Sequence, residues 1–289
     1  MTLRSDDFQF LANLLKQQSG LVISEEKVYL LESRLGPIAR KFNLNSIEDI
    51  VARLRSTHDA KLSEAVIESM TTNESSFFRD AKPFDQFKNI VLPILLEQNA
   101  AKKSFRIWSA ASSSGQEAYS LAMVLKEQGA KLAGWNIEII GTDLSREMVE
   151  RAKDGTYTQF EVQRGLPIQM LMKYFKQEGE KWRVSEDIRK MVTYRTFNLL
   201  SDFTSLGVFD VIFCRNVLIY FDTPTKTRIL ENMVRQLPPH GVVFLGGAET
   251  VLGITEKLKP MPDQRGIYAL NVNKPAGVTV APPLQAARV

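Results

Sequence analysis

One stretch, Phe105 to Asp143, limits what this chain can fold into more than any other. It reads FRIWSAASSSGQEAYSLAMVLKEQGAKLAGWNIEIIGTD. An apolar run (105–111) ends in a loop of small residues (112–115). An apolar helix pattern follows (117–126), and a second apolar run (137–140) stops at Gly141-Thr142-Asp143. Strand, small-residue loop, helix, strand, acid is the plan of a nucleotide-type binding unit. The loop permits close backbone approach, and the helix N-terminus presents free N–H groups. A carboxylate at the tip of the second strand can accept hydrogen bonds from two ribose hydroxyls.

The flanking sequence extends this plan. Period and turn residues predict strands at 105–111, 137–142, 191–198, 208–214, 241–246 and 266–272, and helices at 116–128, 145–153, 168–177 and 224–236. Such alternation predicts an α/β fold with a mainly parallel sheet. Residues 155–183 are long and irregular between two strands and read as an insertion of about 155–190. Upstream, residues 1–72 read as an all-helical domain. Phe8, Leu11, Leu14 and Leu15 keep helical spacing up to Gly20; Val28, Leu31, Leu35, Ile38 and Phe42 mark a second face. Ser46 to Asp49 resembles a capping box, and Leu62, Val66 and Ile67 continue the pattern to Met70. The polar run TTNESSFFRD (71–80) interrupts it, so 73–85 is expected to be a connector facing the ligand cleft. A helix is expected over 80–97, with Pro83 in its first turn and a kink or split at Pro93. The larger domain then covers 86–273, and the Pro/Ala/Val-rich segment 274–289 is expected to be unstructured.

Composition removes several function classes. The chain has 289 residues, 44% of them hydrophobic, enough for a folded core. Its one cysteine, Cys214, cannot form an intrachain disulfide, which fits a reducing compartment. The N-terminus has no apolar signal segment and no run reaches membrane-spanning length, so a cytoplasmic location without membrane insertion is expected. Net charge is +4; residues 1–85 carry 11 Lys/Arg against 13 Asp/Glu, and the rest carry 26 against 20. Without a dense basic tract interleaved with aromatics, nucleic acid is not an expected partner. A weakly positive surface still suits acidic partners.

The loop 110–117 lacks both GxGxxG and GxxxxGK[ST], so it is built for neither a pyrophosphate nor a P-loop phosphate. It suits a ligand with an amino-acid end, with Glu117 at the helix start, although an ordinary tight strand–helix turn would read the same. Asp143 could be a plain N-cap; its position after the second strand favours ribose. The buried run 209–214 leads into Arg215, Asn216 and Tyr220 at a strand carboxyl end, where open α/β sheets bind ligands. Cys214 reads as a small buried residue. His58 and His240 lack metal-type neighbours, and there is no GxSxG elbow. The usual acid–base and nucleophile machinery is missing. Methyl transfer from S-adenosylmethionine (SAM) to a carboxylate needs none, because a glutamate with a pKa near ~4.3 is already ionised. The protein need only align and desolvate the reactants.

Three segments, TTNESSFFRD, SAASSSGQEAYSLAM and FDVIFCRNVLIYF, closely resemble the signature segments of CheR-type chemotaxis receptor glutamate O-methyltransferases, and GTDLSREMVERAKDGTY resembles that family's second-strand segment. The likeness runs in order from about Phe8 to Leu270. It implies a Rossmann-like SAM-dependent methyltransferase domain with a small inserted β subdomain, behind an all-α domain that docks on receptors. It implies SAM contacts, with S-adenosylhomocysteine (SAH) as product, from Asn73, Ser75 and Arg79, from Glu117 on either the ribose or the methionine portion, and from Asp143, Asn198, Leu199, Arg215 and Asn216. It places Arg79 and Tyr220 near methyl transfer, Arg79 pairing with the incoming glutamate and Tyr220 orienting it. The implied partners are the cytoplasmic methylation helices of transmembrane chemoreceptors.

The sequence departs from the family pattern in three places. Ser75 stands where threonine is common. Gln116-Glu117-Ala118 replaces a common Glu-Glu-Pro. KYFKQEGEKWRVS (173–185) is compact where some members carry a longer turn that binds a receptor's C-terminal pentapeptide, so action independent of that tether is expected. Lys27, Arg34, Arg40, Lys41, Arg53 and Arg55 are candidate docking cations, although scattered charges often mark only a solvated face. Two other readings fit the same residues: a SAM- or SAH-binding regulatory or scaffold protein, and a methyltransferase of this family serving a non-flagellar sensor. A nucleic-acid acceptor is disfavoured by the absence of Asn/Asp-Pro-Pro-Tyr.

Overall fold

A computed structural model describes residues 3–272 of the chain; the segment 274–289 expected to be unstructured lies outside the described residues. Four helices come first: α1 (Ser5–Ser19), α2 (Val28–Lys41), α3 (Ile47–Thr57) and α4 (Ala60–Met70). Local chemistry sets their ends. Gly20 closes α1 in the left-handed region at φ 80°. The Ser46 hydroxyl accepts from the Asp49 N–H at 3.2 Å, and Asp59 accepts from the Leu62 N–H at 3.0 Å. Phe8, Leu11, Leu15, Leu31, Leu35, Ile50, Leu62 and Val66 fill the centre of this unit. Leu144 and Tyr220 pack on it from the rest of the chain, and the Val22 N–H donates to the Tyr220 carbonyl at 3.0 Å. The two units therefore share a boundary at the carboxyl ends of two later strands.

The connector leads into α5 (Lys82–Gln86), a π-helical turn over Phe87–Val91, and α6 (Leu92–Gln98). The helix expected from residue 80 starts at Lys82, because Phe78, Asp80 and Ala81 hold positive φ. The break expected at Pro93 takes the form of the π turn just before it, a known way for a helix to bend.

The remaining elements are β1 (Ser104–Ala110), α7 (Gln116–Lys126), β2 (Asn136–Asp143), α8 (Arg146–Asp154), β3 (Thr156–Thr158), α9 (Gln159–Gln163), α10 (Ile168–Tyr174), β4 (Phe175–Glu178), β5 (Lys181–Val184), α11 (Glu186–Arg189), β6 (Val192–Thr196), β7 (Val211–Cys214), α12 (Thr223–Arg235), β8 (Val242–Leu245), β9 (Leu258–Met261) and β10 (Gln264–Leu270). Seven strands form one sheet in the order β6-β2-β1-β7-β8-β10-β9. All its pairs are parallel except those made by β10. The α/β reading with a mainly parallel sheet therefore holds. Neighbouring residues face opposite layers: Ile107, Ile139 and Phe213 pack with α7, while Trp108, Ile140 and Ile212 pack with α12. A three-stranded antiparallel sheet, β3-β5-β4, sits between α8 and α11 in sequence.

Two elements differ from expectation. The helix predicted to reach residue 177 stops at Tyr174, and 175–178 is strand, because pairing with β5 across a two-residue turn at Gly179-Glu180 overrides the local pattern. Strand β9 was not anticipated. It is the edge of the sheet, and its Lys259 and Pro260 are residues an edge strand tolerates.

Candidate active site

Strand β1 is flanked by β2 on one side and β7 on the other, so the chain order reverses there and the carboxyl ends of all three strands open into one crevice. The loop after β1, the turn after β2 and the turn after β7 meet in it. Two adjoining cavities result. One is walled by Glu74, Ser75, Arg79, Ser112, Glu117 and Arg215. The other is walled by Asn73, Asp143, Leu144, Asn198, Leu199 and Tyr220. Thr72, Ala111 and Val217 line both. A wider groove of about 710 Å³ lies between the helical unit and β2–β6, and it shares Leu144 and Asn198 with the second cavity.

The small-residue loop is held by tyrosines. The Tyr157 hydroxyl, from β3, donates to the Ser114 carbonyl at 2.6 Å, and the Tyr194 hydroxyl, from β6, donates to the Gly115 carbonyl at 3.1 Å. Burial pushes both phenols well above their ordinary pKa, so they remain donors across the working range. Gly115 sits at φ 94°, and a Cβ there would meet the Tyr194 hydroxyl at 2.7 Å. The lone glycine is therefore demanded by close packing. Because Tyr157 also stacks edge-on to Phe77 of the connector, at 4.9 Å, the inserted sheet braces two walls of the site. Tyr157→Phe is expected to weaken SAH binding by roughly five- to tenfold, about one buried hydrogen bond. Titration calorimetry giving wild-type affinity would show that the brace is not needed.

Arg215 is the hub of the first cavity. Its side chain is 1% exposed; Nη1 donates to Glu117 Oε2 at 2.9 Å, and Nη2 donates to Asp80 Oδ2 at 2.7 Å and to the Arg79 carbonyl at 2.9 Å. One guanidinium thus joins the β7 end, the α7 start and the connector. The other Glu117 oxygen accepts from the Ser109 hydroxyl at 2.8 Å. Two polar atoms of this wall, Ser112 Oγ and Arg215 Nε, are buried and have no partner among the described residues. Such atoms cost about 1–3 kcal/mol each unless something polar meets them, so this wall can receive a polar ligand end or water.

Asp143 commands the second cavity. Its Oδ2 accepts from the Ser113 N–H at 2.8 Å and its Oδ1 from the Ser145 N–H at 2.9 Å. Burial pushes its carboxyl pKa up, against the pull of those amides. Each oxygen keeps a further lone pair. Asn198 spends its amide on the Gln18 carbonyl, at 2.6 Å, and on the Leu200 N–H, at 2.9 Å, so it ties the helical unit to the loop after β6. The Tyr220 hydroxyl makes no hydrogen bond among the described residues. Burial pushes the Cys214 thiol well up, as suits a packed residue and not a nucleophile.

Backbone strain collects here. Phe78, Asp80, Ala81, Ala111, Ser113 and Asn216 all hold φ between 43° and 67° without being glycine. Such conformations cost of order 1–3 kcal/mol each and persist only where surroundings impose them.

The crevice brings together the residues expected at SAM and at methyl transfer, but in two groups. Ser75, Arg79, Glu117, Arg215 and Asn216 line the first cavity; Asn73, Asp143, Asn198, Leu199 and Tyr220 line the second. Arg79 and Tyr220 therefore lie in different cavities with a shared wall between them. Among the candidate docking cations, Arg34 is committed to the Met70 and Thr71 carbonyls, Arg53 to Asp59, and Arg55 to Asp7 and the Asp6 carbonyl. Tyr157 and Tyr194 were missed, since a buried tyrosine carries no local sequence signal for what its hydroxyl meets. Among the described residues no helix is long and apolar enough to cross a membrane.

Comparison with known proteins agrees with this geometry. Residues 6–71 match the family model for the CheR methyltransferase all-alpha domain, and residues 73–267 match that for the CheR methyltransferase SAM binding domain. The chain is 36% identical over 270 residues to chemotaxis protein methyltransferase 1 of Vibrio cholerae, covering 92% of this chain and 97% of that one. It is 38% identical over 265 residues to chemotaxis protein methyltransferase Cher2 of Pseudomonas putida, covering 90% and 96%. With chemotaxis protein methyltransferase 1 of Pseudomonas aeruginosa it shares 39% identity over 273 residues, covering 92% and 98%.

Proposed function

The chain belongs to the CheR methyltransferase family, and on that premise we propose that it methylates glutamate side chains of methyl-accepting chemoreceptors, giving glutamyl methyl esters and SAH. Its SAM-binding methyltransferase domain defines the cofactor. The observation that carries the proposal is the pair of cavities at the β1/β7 switch point, whose carboxylates are already engaged. Glu117 is held by Arg215, and Asp143 by two backbone amides. Both are engaged in holding the site's own backbone and guanidinium groups, and an ionised carboxylate acceptor needs no general base.

The residues fit SAM. The unpartnered Ser112 Oγ and Arg215 Nε belong to the cavity that also holds Glu117, which supports assigning that cavity, and Glu117, to the methionine portion. Asp143 has lone pairs to spare for ribose hydroxyls, and Leu144, Phe197 and Leu199 supply apolar wall for the base. Asn73, Ser75 and Asn216 complete the lining. SAM supplies an electrophilic methyl group on sulfur. The chain's own residues align and exclude: Arg79, with one N–H spent on the Glu74 carbonyl, keeps others to hold the acceptor carboxylate, and the free Tyr220 hydroxyl orients it. Their positions in adjoining cavities support a transfer point at the shared wall of Thr72, Ala111 and Val217.

Docking would use Lys27, Arg40 and Lys41 of the helical unit, since Arg34, Arg53 and Arg55 are engaged internally. The two-residue β4–β5 turn supports action independent of a receptor C-terminal pentapeptide. The test is transfer of labelled methyl from SAM to the host's chemoreceptors with and without their C-terminal tails. Base-labile label of equal amount on both forms is expected. No transfer to any receptor by protein that binds SAH would overturn the proposal. In the same assay Tyr220→Phe should lower turnover by roughly tenfold, about the 1.4 kcal/mol of one hydrogen bond, and leave SAH affinity unchanged.

A further inference from the structure

Glu249, in the loop after β8, lines neither cavity described above, yet its carboxylate accepts from five backbone N–H groups. Its Oε2 accepts from the N–H groups of Gly246, at 2.6 Å, and Asn216, at 2.8 Å. Its Oε1 accepts from Val217, at 2.9 Å, and Leu218, at 2.7 Å, with Ile219 more distant at 3.4 Å. Successive backbone N–H groups that converge on one point make a concave cradle for phosphates and other anions. Here the turn begins at Asn216, in the left-handed region at φ 59°. The anion in this nest is the protein's own side chain.

The geometry points to Glu249 as a positioning residue for the cofactor and acceptor site. The turn it gathers carries Asn216 and Val217 into the first cavity and Val217 and Tyr220 into the second. Asn216 in the left-handed region is costly unless its surroundings hold it, and the carboxylate, which lines neither cavity, accepts from its N–H at 2.8 Å. Gly246 supports the same design: a Cβ there would lie 2.7 Å from Glu249 Oε2 and 2.9 Å from the Asn216 nitrogen. Glycine leaves the room the carboxylate occupies. Glu249 also borders an open groove of about 570 Å³ that includes Lys82 and Arg265, so a small anion in solution has a way in.

The inference rests on the proposed SAM site, and its test reads SAH binding, which does not depend on the acceptor being a receptor glutamate. Glu249→Ala removes the anion and leaves its donors without an acceptor beside the groove that Glu249 and Gly246 line. SAH affinity, by calorimetry at a temperature where the variant is folded, is expected to fall by at least about tenfold. Sodium formate at tens of millimolar should restore most of it, with sodium chloride at equal ionic strength as control, and should leave the wild type unaffected. A merely structural role would lower the melting temperature without this formate-specific return of affinity. Should Glu249→Ala not fold, Glu249→Gln decides: its NH2 opposes donors, so lowered affinity without formate rescue is expected, the space being filled. Wild-type affinity in either variant, or a loss in Glu249→Ala that formate leaves untouched, overturns the inference. Failure of receptor methylation with formate rescue intact would count against the acceptor and not against Glu249.

Discussion

Asp143→Ala is expected to lower SAH affinity by at least about tenfold and up to about a hundredfold, because a charge-assisted hydrogen bond is worth ~1.5–3 kcal/mol. The loss has two sources. The ribose loses its acceptor, and the Ser113 and Ser145 N–H groups lose theirs, so the loop that walls both cavities is released at the same time. Burial raises the carboxyl pKa of Asp143, which adds a pH dependence. Ribose hydroxyls donate to the ionised form, so affinity is full above the raised pKa and declines as pH falls through it. Stability of the free protein runs the other way: the contribution of a group whose folded pKa is raised is complete below its unfolded pKa, about 3.9, and is lost as pH rises through the folded value. Calorimetric titration across that range checks both statements. Unchanged affinity in Asp143→Ala would retire the ribose assignment, and Asp143→Asn should flatten the pH profile.

Arg215→Met is expected to be the most destabilising change at the site. Removing one partner of a buried ion pair costs about 3–5 kcal/mol, since the other charge is left without compensation. Glu117, 13% exposed, is that charge; Asp80, 56% exposed, can turn to water and adds little. A fall in Tm of roughly 10 °C follows for a chain of this size, with weaker SAH binding because the connector carrying Arg79 loses its tie. The double variant Arg215→Met with Glu117→Gln should regain part of the stability and none of the binding, since the uncompensated charge is gone. Thermal unfolding by circular dichroism of the three proteins is the measurement, and an unchanged Tm in Arg215→Met would show that the pair does not hold the site together.

Much of the architecture was legible in local pattern. The small-residue loop, α7 and Asp143 lie where the apolar runs and turn residues put them, and the helical unit follows its capping and 3.6-residue spacing. Strand β9 and the end of α10 were not legible. Leu258–Met261 lacks strand composition and is extended only because β10 lies beside it, and Phe175 leaves helix for strand because β5 offers a partner. Pairing energy from residues distant in sequence decides such segments, and no window of local residues contains it.

For the site, the sequence by itself determined which residue types end each strand: Glu117 after β1, Asp143 after β2, Arg215, Asn216 and Tyr220 after β7. It also showed that the GxGxxG, GxxxxGK[ST] and GxSxG motifs are lacking. Only the tertiary structure decided their division of labour. Arg215, expected as a ligand contact, also ties Glu117 to the connector through both Nη atoms while its Nε stays unpartnered among the described residues. Arg79 and Tyr220 face different cavities. Three of the candidate docking arginines, Arg34, Arg53 and Arg55, have partners inside the helical unit. Tyr157 and Glu249 hold the loops from behind. The reason is physical. A side chain's chemistry is written in its identity, but its role depends on which donors, charges and walls surround it, and those come from strands and loops far apart in the chain. The stretch 105–143 could announce a ligand site; the partners of each polar atom in it had to be supplied by the fold.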